Sequence, residues 1–481
     1  MNERKPRRGD LLEVTLERLD DRGWTVGTSG PYSVRVRGGV VGDRVRVDVA
    51  KRRRNAIDAR IDEVLEAGPA RVEPRCRHHA SCGGCRYQRT RYADQLVALE
   101  RGFRETLGGA WECLPIVGAK EPWNYRNKMD FTFGARRWIE PHEPAGIDDA
   151  GPALGLHAPG RFDKVLDIDE CHIAFHGAAE IVRTVRREAK ERGLEAWNVR
   201  THEGLLRHVV LRAGFRTGDR MLNLVTTERA PERIEPLVAA LAERHPEVTT
   251  IVQNVTDRLS LVAYGEEEFV HRGPGTILER LCGLEFTISA NSFFQTNTEQ
   301  AERLFTAALD AAGIESGDLV FDLYCGAGSL SLAAARRGAR VRGFELVPEA
   351  IADAEANARA NDVSNATFVA GDLAETLPAA LAEGGEAPRI ALVDPPRAGM
   401  HERVVRALAE LAPERIVYVS CNPKTAARDA ALLVGAGYRP LTAEPFDLFP
   451  HTPHLECVLV LERVGLGVQP MASASTPATL Q

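Results

Sequence analysis

The chain has 481 residues, 44% hydrophobic and 27% charged, with a net charge of −7. That length exceeds one core and points to about three domains, and the composition is ordinary for a soluble globular protein. No apolar run approaches the roughly 20 residues a membrane helix needs, and Met1–Arg8 lacks the apolar segment of a signal peptide, so a cytoplasmic protein is expected. Nine cysteines, an odd number bunched in one region, favour metal binding or catalysis over a disulfide framework. Charge is unevenly spread: residues 1–91 hold 21 Lys+Arg against 13 Asp+Glu, which leaves −15 on the remainder. The basic end is the one suited to a polyanion, although charge runs such as Lys51–Arg54 also occur as plain solvated surface.

Leu11–Leu16, Tyr32–Val36, Val45–Val49 and Ala56–Val64 read as short strands separated by turn chemistry such as Gly38-Gly39 and Gly42-Asp43. They predict a small barrel over residues 1–66. The stretch Val34 to Val47, with its paired glycines, resembles the TRAM domain, an OB-like RNA-binding barrel. A barrel that binds another protein is the alternative reading.

Residues 67–280 read as a central α+β domain. Cys76, Cys82 and Cys85 are spaced C-x5-C-x2-C, and Gly83-Gly84 lets the backbone turn tightly so that the sulfurs converge. Cys171, in Asp167-Ile-Asp-Glu-Cys-His172, is the fourth candidate. Four thiolates suit a [4Fe–4S] cluster or structural zinc. One short pair, one wide gap and one distant ligand favour iron–sulfur, while His78 and His79 keep zinc open. Arg86 to Tyr92 and Trp123 to Lys128 interleave basic and aromatic residues, a pattern that holds phosphates and stacks unpaired bases, or merely packs a domain. Strands are predicted at His208–Phe215, Met221–Thr226 and Thr250–Val255, and helices at Ala178–Arg192 and Glu232–Glu243.

From about residue 281 to 465, strands and helices alternate as in a doubly wound parallel sheet, an α/β Rossmann-like domain. Its first strand runs into Phe321-Asp-Leu-Tyr-Cys-Gly-Ala-Gly328, and the second ends at Glu345, about 20 residues on, where a carboxylate takes a ribose diol. A dinucleotide fingerprint needs a third glycine where this chain has Ser331, which favours S-adenosylmethionine. Asp394 ends a later buried strand in Leu392-Val-Asp-Pro-Pro-Arg397. Cys421 ends the next, Arg415 to Ser420, and alone reads either as a nucleophile or as a buried structural thiol. His451-Thr-Pro-His-Leu-Glu456 precedes the apolar run Cys457–Leu461. Residues 466–481 are expected to be a disordered tail.

The ordered set D-x-Y-C-G-x-G, D-P-P-R, S-C-N-P and H-T-x-H-x-E resembles the RNA uridine-C5 methyltransferases. With the barrel and the cysteine pattern it looks most like their 23S rRNA branch, over nearly the whole chain. The resemblance implies methyl transfer from S-adenosylmethionine to uracil C5, with Cys421 as nucleophile and Glu456 as base. It places Gln295, Tyr324, Glu345 and Asp394 at the methyl donor, and makes Cys76, Cys82, Cys85 and Cys171 cluster ligands. A thiolate adding at C6 activates C5 as a nucleophile, and a base then removes the C5 proton before the thiol leaves. Phe293 is a candidate to stack on a base extruded from its helix. The expected partner is RNA, ribosomal rather than the tRNA T-loop, met by a monomer. An amino-group methyltransferase, raised by Asp-Pro-Pro, and a non-catalytic RNA-binding protein are the rivals. Whether His451 and His454 orient the site or are structural is left open by the sequence.

Overall fold

The computed structural model describes residues 5–20, 22–144, 146–382 and 386–465; the tail expected at 466–481 lies outside them. The N-terminal strands close into a barrel in the order Leu11–Leu19, Thr25–Ser29, Tyr32–Val36, Ala56–Glu66, Arg44–Arg52. Alternation drives the closure, because Val14, Leu16, Val34, Val36, Val45, Val47 and Val49 all face inward and are buried. The predicted strands number four and the barrel has five. The unpredicted one, Thr25–Ser29, carries Gly27, where a Cβ would lie 2.1 Å from the Thr15 carbonyl oxygen. A residue that ordinarily weakens strands is needed there for two backbones to approach.

The barrel is tied to the next segment by Asp43, which is fully buried. Its carboxylate accepts the backbone N–H of Val40 at 2.6 Å and of Gly68 at 2.8 Å, and the Arg71 Nε–H at 2.9 Å. Burial raises its pKa, but the Arg71 guanidinium and the two amides outweigh this and hold it below the usual aspartate value. A lowered folded-state pKa means a contribution that is complete above the unfolded value and lost as pH falls through the folded one.

The central domain is built on a seven-stranded mixed sheet, ordered Glu267–Arg272, Thr250–Val255, Arg220–Thr226, Leu206–Ala213, Lys128–Arg136, Ala150–His157, Val165–Asp167. Helices Ala178–Glu191 and Pro231–Arg244 cover one face, onto which Phe131, Val209, Leu211, Leu222 and Leu224 project. The register puts Thr132, His208, Asn223, Asn254 and Arg212 on the opposite face. Arg212 there donates to the Ala290 carbonyl at 3.2 Å, just past the hairpin Thr276–Leu281 and Leu284–Ser289.

The third unit is an eight-stranded sheet ordered Ala366–Ala370, Arg340–Glu345, Leu319–Leu323, Ile390–Val393, Arg415–Ser420, Glu456–Arg463, Tyr438–Phe446, Glu112–Cys113. The first five strands are parallel, as predicted. Glu456–Arg463 runs antiparallel to both its neighbours. The edge strand Glu112–Cys113 comes from far upstream. Helix Tyr92–Leu107 joins the same layer, burying Leu99 and Phe103 among Tyr418, Leu433 and Leu459. Each such side chain stabilises by about 1.5–3 kcal/mol. No helix among the described residues is long and apolar enough to cross a membrane.

Replacing Asp43 with alanine takes the carboxylate partner from the half-buried Arg71 and the acceptor from the Val40 and Gly68 N–H groups, and is expected to cost about 3–5 kcal/mol. Urea unfolding at pH 7 measures this; wild type and variant converge as pH falls below the ordinary aspartate range.

Candidate active site

Ligands of parallel α/β sheets bind past the carboxyl ends of the strands, and there the structure gathers most of the predicted residues. Asp394 directly follows Ile390–Val393, and Cys421 directly follows Arg415–Ser420. The antiparallel strand pairs Cys457 with Ser420, so Glu456 stands across from Cys421. Glu456 is buried and Cys421 is half-buried. Among the described residues no hydrogen-bond donor reaches the Glu456 carboxylate; burial, and next the nearby Asp394, push its pKa well up, with Arg397 opposing. Burial, then Glu456 and Asp394, push the Cys421 thiol up to about 11, again against Arg397. Burial alone raises Asp394 to about 7. The free site thus rests with a neutral Cys421 thiol at pH 7, beside a Glu456 carboxyl that burial holds well above the usual glutamate range.

The loops bearing these groups are fastened to one another. Asn422 caps helix Pro423–Gly435 by accepting the Lys424 N–H, and its Nδ2 donates to the Arg397 carbonyl at 3.0 Å. Arg397, which the sequence marks only as the last residue of the D-P-P-R motif, is the cation facing both Cys421 and Glu456. Its Nη2 lies 3.1 Å from His454 Nδ1. A guanidinium only donates, so Nδ1 accepts and the ring is the neutral Nε2–H tautomer. Burial, then Arg397, Arg86 and Arg126, pushes His454 down to about 4, in agreement.

His451 is structural. It is buried, stacks on Trp123 with centroids 3.8 Å apart, and lies 3.1 Å from Gln95 Nε2 through its Nδ1. Its backbone sits at φ 68° while its carbonyl accepts the Tyr87 N–H at 3.0 Å. The chain leading to Glu456 is thereby clamped by residues next to the cysteine loop. Arg86 of that loop also donates to the Arg22 carbonyl of the barrel, and Pro453 packs against the barrel's Gly23.

The glycine turn lies at the neighbouring strand ends. Tyr324 adopts φ 65°, and Gly326 donates its N–H to Glu345 Oε2 at 3.2 Å; the Val347 N–H binds the other carboxylate oxygen at 3.0 Å. These donors fix Glu345 at the end of its strand. Ser331, in place of a third glycine, donates to the buried Asp322 at 2.5 Å. Sequence reading missed this pair; the only signal was an aspartate in an otherwise apolar strand. Burial raises Asp322 to about 7, and Asp394 and Glu345 add to it. Gln295 sits on a separate loop. Its carbonyl accepts from Asn127 Nδ2 at 2.9 Å, and the loop's Ser292 binds Asp353 at 2.6 Å, on the helix that follows Glu345. On this loop Phe294 is core, whereas Phe293 is 75% exposed.

A model of the tRNA (uracil-5-)-methyltransferase family matches residues 276–464. An uncharacterized RNA methyltransferase of Chlorobaculum tepidum is 41% identical over 470 residues, which cover 95% of this chain and 97% of that protein. One from Porphyromonas gingivalis is 40% identical, covering 88% and 93%. The chain belongs to the RNA (uracil-5-)-methyltransferase family. The crystal structure of Pyrococcus abyssi tRNA (uracil-54, C5)-methyltransferase with S-adenosyl-L-homocysteine is 28% identical. It superposes with a TM-score of 0.74 over 94% of this chain and 100% of its own. The protein is an S-adenosylmethionine-dependent RNA methyltransferase.

In this methyltransferase Cys76, Cys82, Cys85 and Cys171 are all half-buried and near enough that their thiols act on one another electrostatically. Cys76 takes a hydrogen bond from the His78 backbone, Cys82 from Gly84, and Cys171 from Ile173 and Ala174. Among the described residues, however, no three His, Cys, Asp or Glu side chains converge to hold a metal ion. His78 is committed elsewhere: Nδ1 pairs with Glu140 at 2.8 Å and Nε2 accepts the Asp169 N–H at 3.1 Å. Both nitrogens are spent, which removes His78 from the zinc alternative.

Only the thiolate alkylates, so the rate at which iodoacetamide labels Cys421 in the free enzyme is expected to climb about tenfold per pH unit between 7 and 10. Peptide mass spectrometry separates this site from the buried Cys325 and Cys457. A plateau below pH 9 would contradict the resting state described.

Proposed function

We propose that this protein methylates C5 of a uridine in RNA through a covalent adduct between Cys421 and uracil C6, with Glu456 as the base. The observation that carries the reading is the strand register that sets a thiol and a buried carboxyl across from each other at the ligand end of the sheet. S-adenosylmethionine supplies an electrophilic methyl group on a sulfonium, and Glu345, Tyr324, Gln295 and Asp394 are the residues proposed to hold it.

Cys421, whose charged form Arg397 favours, gives up its thiol proton to solvent and adds to C6 as thiolate, and the C5=C6 pair shifts to an enolate. C5 attacks the methyl carbon as its bond to the donor sulfur breaks. Glu456, as carboxylate, takes the C5 proton; the electrons of that C–H bond re-form C5=C6 and expel the Cys421 thiolate. Arg397 favours the charged forms of both residues, and Asp394, raised to about 7, suits a group that exchanges a proton at the uracil edge. A paired uridine exposes neither face of C6, so the base is flipped out of its helix. Phe293, exposed on the Gln295 loop, is proposed to stack on it.

We place the substrate in 23S rRNA, on the barrel and four-cysteine pattern. The likeness to a tRNA (uracil-54, C5)-methyltransferase favours a second reading, the same chemistry on tRNA. The four thiols, with the amide donors aimed at Cys76, Cys82 and Cys171, are proposed to hold a [4Fe–4S] cluster that cross-links residues 76–85 to Cys171.

The deciding experiment incubates the enzyme and S-adenosylmethionine with 5-fluorouridine-substituted 23S fragments and, separately, tRNA. Fluorine cannot leave C5 as a proton, so a denaturation-stable adduct forms on the true substrate and vanishes in Cys421→Ala. On natural RNA, Glu456→Gln is expected to trap the methylated adduct, with turnover reduced at least about 10²-fold. No adduct on either RNA would sink the covalent mechanism. Iron and sulfide assays on anaerobically purified protein test the cluster, and zinc without sulfide would refute it.

A further inference from the structure

Tied through its flanking residues to the loop that carries Phe293 and Gln295, the segment Asp257–Tyr264 presents apolar side chains to solvent: Leu259 is 62% exposed, Leu261 41% and Tyr264 38%. It is nonetheless rigidly built. Arg207, itself 1% exposed, donates from Nη1 to the Thr256 and Arg258 carbonyls and from Nη2 to the Ser260 carbonyl at 2.6 Å. Its guanidinium also lies over the Trp197 ring, 4.8 Å from the centroid. A buried cation is costly, and here its terminal nitrogens bond, among the described residues, to two carbonyls of this loop and to that of Thr256 directly before it. At the far end Arg258 stacks on Tyr264 at 5.2 Å and pairs with Glu266.

The loop is continuous with the site. Asn291, two residues before Phe293, donates from Nδ2 to Asn254 Oδ1 at 2.7 Å and to the Gly265 carbonyl at 3.3 Å. The Gly265 N–H in turn binds Asn254 Oδ1 at 3.2 Å. Asn254 and Gly265 flank the loop, so its base and the Phe293 loop share one set of hydrogen bonds.

We infer that Leu259 and Leu261 form a wedge that enters the RNA stack next to the target uridine and fills the space the extruded base leaves. This rests on the uridine-C5 reading above. Flipping a base forfeits stacking on both sides, and apolar side chains inserted between base steps replace part of it. Leucines on a flexible loop would instead fold back onto the protein; the Arg207 anchor holds them outward. Tyr264, cross-braced by Arg258, stiffens the loop on the side of the site.

The test uses the RNA that forms the adduct with wild-type enzyme, as a folded stem-loop and as a short unpaired oligonucleotide of the same sequence around the uridine. Leu259→Ser/Leu261→Ser is expected to lower kcat/KM on the stem-loop roughly tenfold and to leave the oligonucleotide within about twofold. Leu259→Met/Leu261→Met keeps apolar bulk and restores the stem-loop rate. With 2-aminopurine beside the target, the fluorescence rise on binding in S-adenosylhomocysteine is smaller for the serine variant. An equal loss on both RNAs, or no loss on either, overturns the wedge. Inactivity of the wild type on both overturns instead the reading on which it rests. Unchanged thermal melting and methyl-donor binding confirm that the serine variant is folded.

Discussion

The active site depends on a single strand pairing, Arg415–Ser420 against Glu456–Arg463. Backbone hydrogen bonds there decide which side chain faces Cys421, and a slip of one residue turns every side chain to the other face. Apolar pattern alone does not hold this register, because both faces are buried: Val417, Val419, Val458 and Val460 enter one core, Ile416, Tyr418, Leu459 and Leu461 the other. Contacts at the strand ends hold it. Arg415 pairs with Glu462 at 3.3 Å, the Arg463 N–H binds the Glu414 carbonyl at 2.8 Å, and the Cys457 sulfur lies 3.5 Å from the Ser420 carbonyl. Polar residues at one end of the ladder thus set Cys421 and Glu456 across from each other at the other.

Electrostatics then set how reactive that pair is at rest. Burial shifts the acids near the site toward their neutral forms, with Asp322 and Asp394 raised to about 7 and Glu456 well above its normal range. One cation, Arg397, opposes this at the reactive pair, and its loop is fastened to the cysteine loop through Asn422. A site that stores its protons until a substrate arrives exposes little thiolate to oxidants. Neighbouring His454, neutral and accepting from Arg397, steadies the cation without competing for its charge.

Much of this was legible in the sequence, for definable reasons. Parallel strands buried on both faces read as β-branched runs, so Ile390–Val393 and the strand ahead of Cys421 were found nearly to the residue. The glycine turn at Gly326 and Gly328 was readable because only that chemistry tolerates the geometry; both have positive φ. The misses are non-local. Glu112–Cys113 is two residues long, and its strand character exists only beside Thr442 and Ala443. Helix Tyr92–Leu107 was hidden by its basic and aromatic lead-in. Arg397 reveals its role only when the loops of two strands come together. The four cysteines were read by spacing, yet spacing does not show that His78 is already used on both nitrogens.

The order of strands in the large sheet also bears on how the protein is made. Its edge strand, Glu112–Cys113, leaves the ribosome early and then waits for Tyr438–Phe446, while Arg415–Ser420 waits for Glu456–Arg463. Contacts separated by some hundreds of residues are slow to form and leave apolar surface open meanwhile. The barrel's strands all lie within the first 66 residues, and Gly68 and Arg71, which satisfy its buried Asp43, follow directly. A chain released before residue 456 would therefore carry all the barrel strands yet lack Glu456 and the strand that sets it across from Cys421.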